Sequence, residues 1–154
     1  MLTERLAFAL GLNRAHAELK RRMDARLGGI GYTDFLLLTE LSNVQGGRLR
    51  AVDLANRLLV TPSGVTRAVL PLEKIGLVAR ERHERDARAT HIVLTPIGRK
   101  VVESATEQAE RIVEDAFDFA LTANTRLALL GFFERLGYGA PVTGGSRNES
   151  KPLA

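Results

Sequence analysis

Residues 51–95, AVDLANRLLVTPSGVTRAVLPLEKIGLVARERHERDARATHIVLT, decide the fold. Ala51 to Leu59 reads as one helix. Thr61-Pro62 opens the next, with Thr61 as N-cap and Pro62 at the first helical position, where its missing N–H costs nothing. Gly76, after Ile75, stops that helix. Leu77–Arg82 and His91–Leu94 follow as two strands, with Asp86-Ala87-Arg88 at the turn between them. Two helices, a turn and a basic hairpin, in that order, are what a winged helix-turn-helix uses to place one helix in a DNA major groove and a β-wing beside it.

Working outward, apolar residues recur at helical spacing from Leu2 to Leu27, through Phe8, Leu12, Ala15, Leu19 and Met23. Gly28, Gly29 and Gly31 end this helix. A second helix is expected over Thr33–Leu41, capped by Thr33 and buried because FLLLTEL is apolar on most sides. Residues 43–47 read as a loop and Arg48-Leu49-Arg50 as a short edge strand. On the other side, Thr95-Pro96 repeats the Thr-Pro start and opens a long helix to about Leu121. Val101, Ala105, Ala109, Ile112, Ala116 and Phe119 share one of its faces. A last helix covers about Thr125–Leu136, and the Gly-, Ser- and Pro-rich residues 139–154 are expected to be a flexible tail.

The expected fold class is therefore mainly α (α+β): a winged helix-turn-helix over residues 32–95, with helical regions 1–30 and 96–138 around it. Those terminal helices carry more apolar surface than a small winged domain covers. A second copy of the chain is the expected partner, because two-fold homodimers are the commonest oligomer.

Composition narrows the function. The 154 residues suit one domain, with 45% hydrophobic and 26% charged residues. No run approaches the roughly 20 apolar residues of a membrane span, so no membrane partner is expected. An acid and a base interrupt the apolar start, and no small-residue cleavage site follows, so a secretory signal is not expected. The chain has no cysteine, which excludes disulfides, thiolate–zinc sites and thiol redox switches and fits a reducing cytoplasm. Residues 48–100 hold 11 Lys or Arg against 5 Asp or Glu, while the rest holds 11 against 13. That asymmetry points to an acidic partner for the middle of the chain, or to a solvated basic face. His16, His83 and His91 are scattered, and no metal-ligand spacing, phosphate loop or nucleophile–base pair is present, so neither an enzyme nor a cofactor is expected.

A helix that reads DNA needs small or hydrogen-bonding residues in its first turns and an apolar back. In the helix from Pro62, Ser63, Thr66 and Arg67 form the polar front, and Val65, Ala68, Val69 and Leu72 the back. With Thr61, Pro62 and Gly64, which lets the backbone come close, these residues form the candidate DNA contact. Arg67 is suited to a bidentate guanine contact or to a phosphate clamp. In the hairpin, Arg85 and Arg88 are the candidate contacts, with Asp86 positioning Arg88 for the minor groove.

Residues 32–102 resemble the MarR family of bacterial transcription regulators. The resemblance rests on Leu54-Ala55, Thr61-Pro62-Ser63-Gly64-Val65-Thr66-Arg67, Leu72 to Val78, Asp86-x-Arg88 and Leu94-Thr95-x-x-Gly98. It implies a cytoplasmic, nucleoid-associated homodimer that binds double-stranded DNA as a pseudo-palindrome, with repression the expected sign. It also implies that Arg88 enters the minor groove. A small phenolic or aromatic effector is implied as well, bound in a cleft between dimerisation and DNA-binding parts. Asn13, His16 and Tyr32 are polar groups near otherwise apolar helices and are candidates either for that cleft or for ordinary structural roles. The missing cysteine argues against a thiol-based peroxide sensor. A winged domain used only for protein assembly is the competing class. Two departures stand out: Leu70-Pro71 replace an acid and a base, and Ala87 replaces a common second Arg. Pro71 cannot donate to the Arg67 carbonyl, so a bend or local unwinding is expected there.

Overall fold

Helix α1, Glu4–Arg26, starts where Thr3 accepts the Leu6 amide hydrogen at 3.3 Å. It is followed by α2 (Tyr32–Ser42), a single 3₁₀ turn (Gln45–Gly47), β1 (Arg48–Arg50), α3 (Ala51–Leu58) and α4 (Pro62–Lys74). Strands β2 (Val78–His83) and β3 (Asp86–Leu94) come next, then α5 (Pro96–Phe117) and α6 (Ala123–Arg135). This computed structural model describes residues 2–83, 86–117 and 121–137, and the side chains of all of these except 82–89. The chain divides into two units, 1–119 and 120–154. The proposed tail, 139–154, lies outside the described residues.

The architecture is a winged helix-turn-helix, as the order of elements predicts. The sheet has the order β1-β3-β2, antiparallel throughout, with Arg48 opposite Val93 and Val78 opposite Leu94. The hairpin strands run further than the sequence suggests. Asp86, Ala87 and Arg88 belong to β3 rather than to the turn, and a register shift between Arg82 and His83 sets His83 opposite Asp86. Strand length here follows from cross-strand pairing, which the polar local sequence does not announce.

Two apolar clusters hold the first unit together. Leu37, Leu38 and Leu41 of α2, Leu54 of α3, Val65, Val69 and Leu72 of α4, Ile92 of β3 and Val102 of α5 form the winged core. Met23 and Leu27 meet Ala105, Ala109 and Ile112 of α5 in the second. Ile30 and Phe35 pack against both clusters, so the two cores are continuous through the start of α2. Each fully buried Leu or Ile contributes about 1.5–3 kcal/mol relative to exposure.

Helix α2 is capped differently from expectation. Gly31 is the N-cap, and Thr33 lies inside the helix. Asp34 accepts the Gly31 amide at 3.3 Å, and Asp24, from the last turns of α1, accepts the Tyr32 amide at 2.7 Å. Two carboxylates at the positive end of the helix do the work assigned to one threonine. The Asp24 carboxyl is held below its usual range, first by Lys20 and then by this amide.

Helix α4 ends as its sequence predicts. Gly76 takes φ +75°, its amide donates to Glu73 O, and the Leu77 amide donates to Leu72 O at 2.9 Å, the double bond of a Schellman motif. In contrast, Leu59 closes α3 at φ +54°, a conformation costly for a side chain with Cβ, while lying 73% exposed. Leu59→Gly relieves that strain and sacrifices little packing. We expect it to raise stability by up to about 1 kcal/mol in urea unfolding, and an equal or lower midpoint contradicts the strain.

Thr95 fastens the sheet to α5. Its hydroxyl donates to Gly76 O at 2.6 Å and accepts the Gly98 amide hydrogen at 3.0 Å, while its own amide donates to Leu77 O. The second unit, taken by itself, contains α6, which Thr122 opens by accepting the Thr125 amide hydrogen at 3.3 Å. No residue of α6 is buried.

Candidate nucleic-acid interface

The polar front of α4 is exposed as a continuous stripe. Ser63, Thr66, Arg67, Leu70 and Lys74 face solvent, while Val65, Val69 and Leu72 are buried and Ala68 is half-buried. The α4 entrance is built by Thr61, whose Oγ1 accepts the Gly64 amide hydrogen at 3.1 Å and lies 3.0 Å from Ser63 Oγ. Thr66 Oγ1 donates back to Pro62 O at 3.1 Å, which fixes its rotamer. A Cβ on Gly64 would meet Thr61 Oγ1 at 3.3 Å, so this glycine keeps the cap tightly closed. Pro62 has no N–H, and the Ser63 amide is therefore the first donor that the helix end offers to an anion.

The electrostatics single out Arg67. Most exposed bases around it are already engaged: Arg48 with Glu81 at 3.6 Å, Arg50 with Asp53 at 2.7 Å, Arg57 with Glu40 at 3.2 Å and Arg80 with Glu73 at 3.2 Å. The Arg50 pair holds the Asp53 carboxyl below its usual range. Among the described residues, Arg67 has no carboxylate within ion-pair distance. Its guanidinium is available on the front of the helix.

Of the bend or local unwinding expected at Pro71, the unwinding does not occur. Helix α4 runs without interruption to Lys74. Arg80, from β2, reaches over this region: its Nη2 donates to Thr66 O at 3.4 Å while its Nε pairs with Glu73. One guanidinium thus braces the helix on both sides of the proline. Arg80 carries no local sequence signal for this role. Its outward position on β2 was readable, but not its partners 14 and 7 residues away.

Of the hairpin candidates, Arg85 lies outside the described residues. Asp86 and Arg88 are placed on the backbone of β3, with their side chains not described. Elsewhere, His16 and Tyr32 come together, ring centroids 6.1 Å apart and planes at 56°. Tyr32 packs on the cluster formed by Met23, Leu27 and α5, and burial raises its hydroxyl pKa. Asn13 is exposed one turn earlier on α1. A separate cleft of about 250 Å³ is lined by Leu27, Gly28, Ile97, Lys100, Val101, Ser104, Ala105 and Gln108, and none of Asn13, His16 and Tyr32 lines it. The first half of α1 is uncovered: residues 2–17 are all exposed, including Leu6, Phe8, Leu10 and Leu12. Leu127 and Leu130 of α6 are exposed too. Among the described residues, no helix is long and apolar enough to cross a membrane, and no group of three His, Cys, Asp or Glu is placed to hold a metal ion.

Residues 30–90 match the model of the MarR family. The HTH-type transcriptional regulator YwhA of Bacillus subtilis is 28% identical over 105 residues, which are 62% of this chain and 75% of that protein. Among solved structures, the MarR family regulator Sco3205 of Streptomyces coelicolor, in complex with DNA, superposes with a TM-score of 0.79. It is 26% identical over 90% of this chain and 89% of its own. The transcriptional regulator BldR of Sulfolobus solfataricus gives a TM-score of 0.76 at 30% identity, covering 89% of this chain and 99% of its own.

Proposed function

Because this chain belongs to the MarR family of transcriptional regulators, which are not enzymes, we propose that it works as a homodimer reading a pseudo-palindromic operator. The observation that carries this proposal is the exposed α4 stripe with an unengaged Arg67 on a surface whose other arginines are mostly paired. A domain used only to assemble proteins gains nothing from leaving that guanidinium free beside Ser63 and Thr66. The solved complex of Sco3205 with DNA supports the same use of this fold.

In this proposal α4 enters the major groove. Ser63, Thr66 and Arg67 meet base edges, and the Thr61-Pro62 end with Gly64 approaches a phosphate. Arg85 and Arg88 of the wing lie over the minor groove, with Asp86 orienting Arg88. The uncovered apolar residues of α1 and α6 meet a second copy. DNA binding places the protein in the cytoplasm on the nucleoid. A small aromatic effector acts by shifting the distance between the two recognition helices, and Asn13, His16 and Tyr32 are the residues proposed to meet it. Repression is the proposed sign.

Selection of bound sites from random DNA tests this function. We expect an inverted repeat whose half-site centres lie about 10 base pairs apart. Recovery of no enriched sequence leaves the winged domain as a protein-assembly module instead. On the selected site, Arg67→Ala is expected to weaken binding about 10- to 100-fold and to relax the preference at one base pair, with the loss read by fluorescence anisotropy. A loss equal on all sequences makes Arg67 a phosphate clamp. Arg88→Ala leaving affinity unchanged removes the wing from the interface.

A further inference from the structure

One residue of the α4 front has a chemistry different from its neighbours. Leu70 is 44% exposed, on the same face as Thr66 and Arg67, four and three residues before it, and Lys74, four after. The next residue, Pro71, is exposed as well, so this stretch of the stripe presents hydrocarbon to solvent. The back of the helix is already filled by Val65, Val69 and Leu72, which leaves Leu70 no place in the core. A leucine at this place is not held there by folding.

The geometry also keeps Leu70 in a fixed place. Helix α4 is unbroken through Pro71, and Arg80 braces it at Thr66 and Glu73, one turn to either side. Leu70 lies about 10 Å along the helix from Ser63, at about 1.5 Å per residue. A residue that far along the helix from Ser63 meets a different base pair of the half-site. The base-edge feature that complements a branched hydrocarbon in the major groove is the thymine C5-methyl. Arg67 offers donors to a guanine, and Leu70 offers a dry surface to a methyl.

We propose that Leu70 is a specificity-determining residue that packs against the C5-methyl of a thymine in each half-site. This inference rests on the DNA-reading function proposed above. It assigns a base identity to a position where the resemblance to the family implies a charged residue.

Replacing thymines by deoxyuridine, which removes the methyl and leaves pairing intact, tests it. On the selected operator, each thymine of both half-sites is exchanged in turn, and affinity is read by fluorescence anisotropy for the wild type and for Leu70→Ala. For the wild type, one symmetry-related thymine position is expected to lose about 3- to 10-fold per methyl. Leu70→Ala is expected to bind the thymine site more weakly and to show no further loss at that position. Leu70→Gln, of similar length, is expected to lose the same methyl response. An unchanged methyl response in Leu70→Ala, or no thymine that responds in the wild type, overturns the proposal while leaving DNA reading intact. Equal affinity of the wild type for the operator and a scrambled duplex overturns both.

Discussion

Gly98→Ala is expected to lower stability by about 3–5 kcal/mol, a large share of the total for a domain of this size. A Cβ on Gly98 would stand 2.0 Å from Leu77 O, 2.9 Å from Leu77 C and 2.8 Å from a Leu94 methyl. Two of these atoms are backbone, so no rotamer change relieves the clash. Either α5 moves off the sheet, or Leu77 O loses the amide hydrogen that Thr95 donates to it at 3.1 Å. Overpacking costs about 1–3 kcal/mol or more, and an orphaned buried carbonyl about 1–3. Domains of this size have only about 5–15 kcal/mol in total. Gly11→Ala is the matched control: nothing lies within 4 Å of that site, so it is expected to gain about 0.5–1 kcal/mol of helix propensity. Urea titrations followed by circular dichroism separate the two. A Gly98→Ala midpoint equal to wild type contradicts the close approach of α5 to the start of β2.

The second large effect is expected at the uncovered end of α1. Leu6→Asp combined with Leu10→Asp places two charges where the proposed dimer buries leucines, on a helix stretch with no buried residue in the single chain. The fold of each subunit should therefore survive, with its helical circular dichroism unchanged. Association should weaken more than 100-fold, because an unpaired charge in an apolar interface is penalised by several kcal/mol. Operator affinity should fall with it, since the two half-sites are then bound as separate events rather than at high effective concentration. Sedimentation velocity at micromolar concentration reads the first effect and anisotropy the second. An intact dimer in this variant removes α1 from the interface.

Much of the winged body could be read directly, because its signals are local. Thr61-Pro62 and Thr95-Pro96 start helices where the sequence predicts, and Gly76 ends one, since caps and a left-handed stop act within a turn of the chain. Of the apolar letters of the family pattern, Leu54, Ala55, Val65, Leu72, Leu77, Val78 and Leu94 are core, while Ile75 is exposed. What stayed hidden depends on partners distant in sequence. Asp24 caps α2 from eight residues away, displacing Thr33. Pairing extends β3 back to Asp86, and Arg80 braces α4 across Pro71, where local rules predict unwinding. Along α1 the periodicity identifies an apolar face without saying how much of it the chain covers. Met23 and Leu27 are buried while Phe8 and Leu12, in the same series, are exposed.

The site follows the same division. The polar front of α4 was legible because helical spacing separates Ser63, Thr66 and Arg67 from Val65, Val69 and Leu72. The availability of Arg67 was not, since it depends on which neighbouring arginines find carboxylates. Leu70 interrupts the family pattern in sequence, and only its exposure sets it on the same face of α4 as Thr66 and Arg67.

The central claim, that this surface grips a charged duplex as a two-fold dimer, is tested most directly by operator affinity over a salt series. For the wild type, log affinity should fall linearly with log salt, losing about 10³- to 10⁵-fold between about 50 and 200 mM if the dimer neutralises roughly 6–10 phosphates. A flat response, or no affinity at the lowest salt, would contradict it.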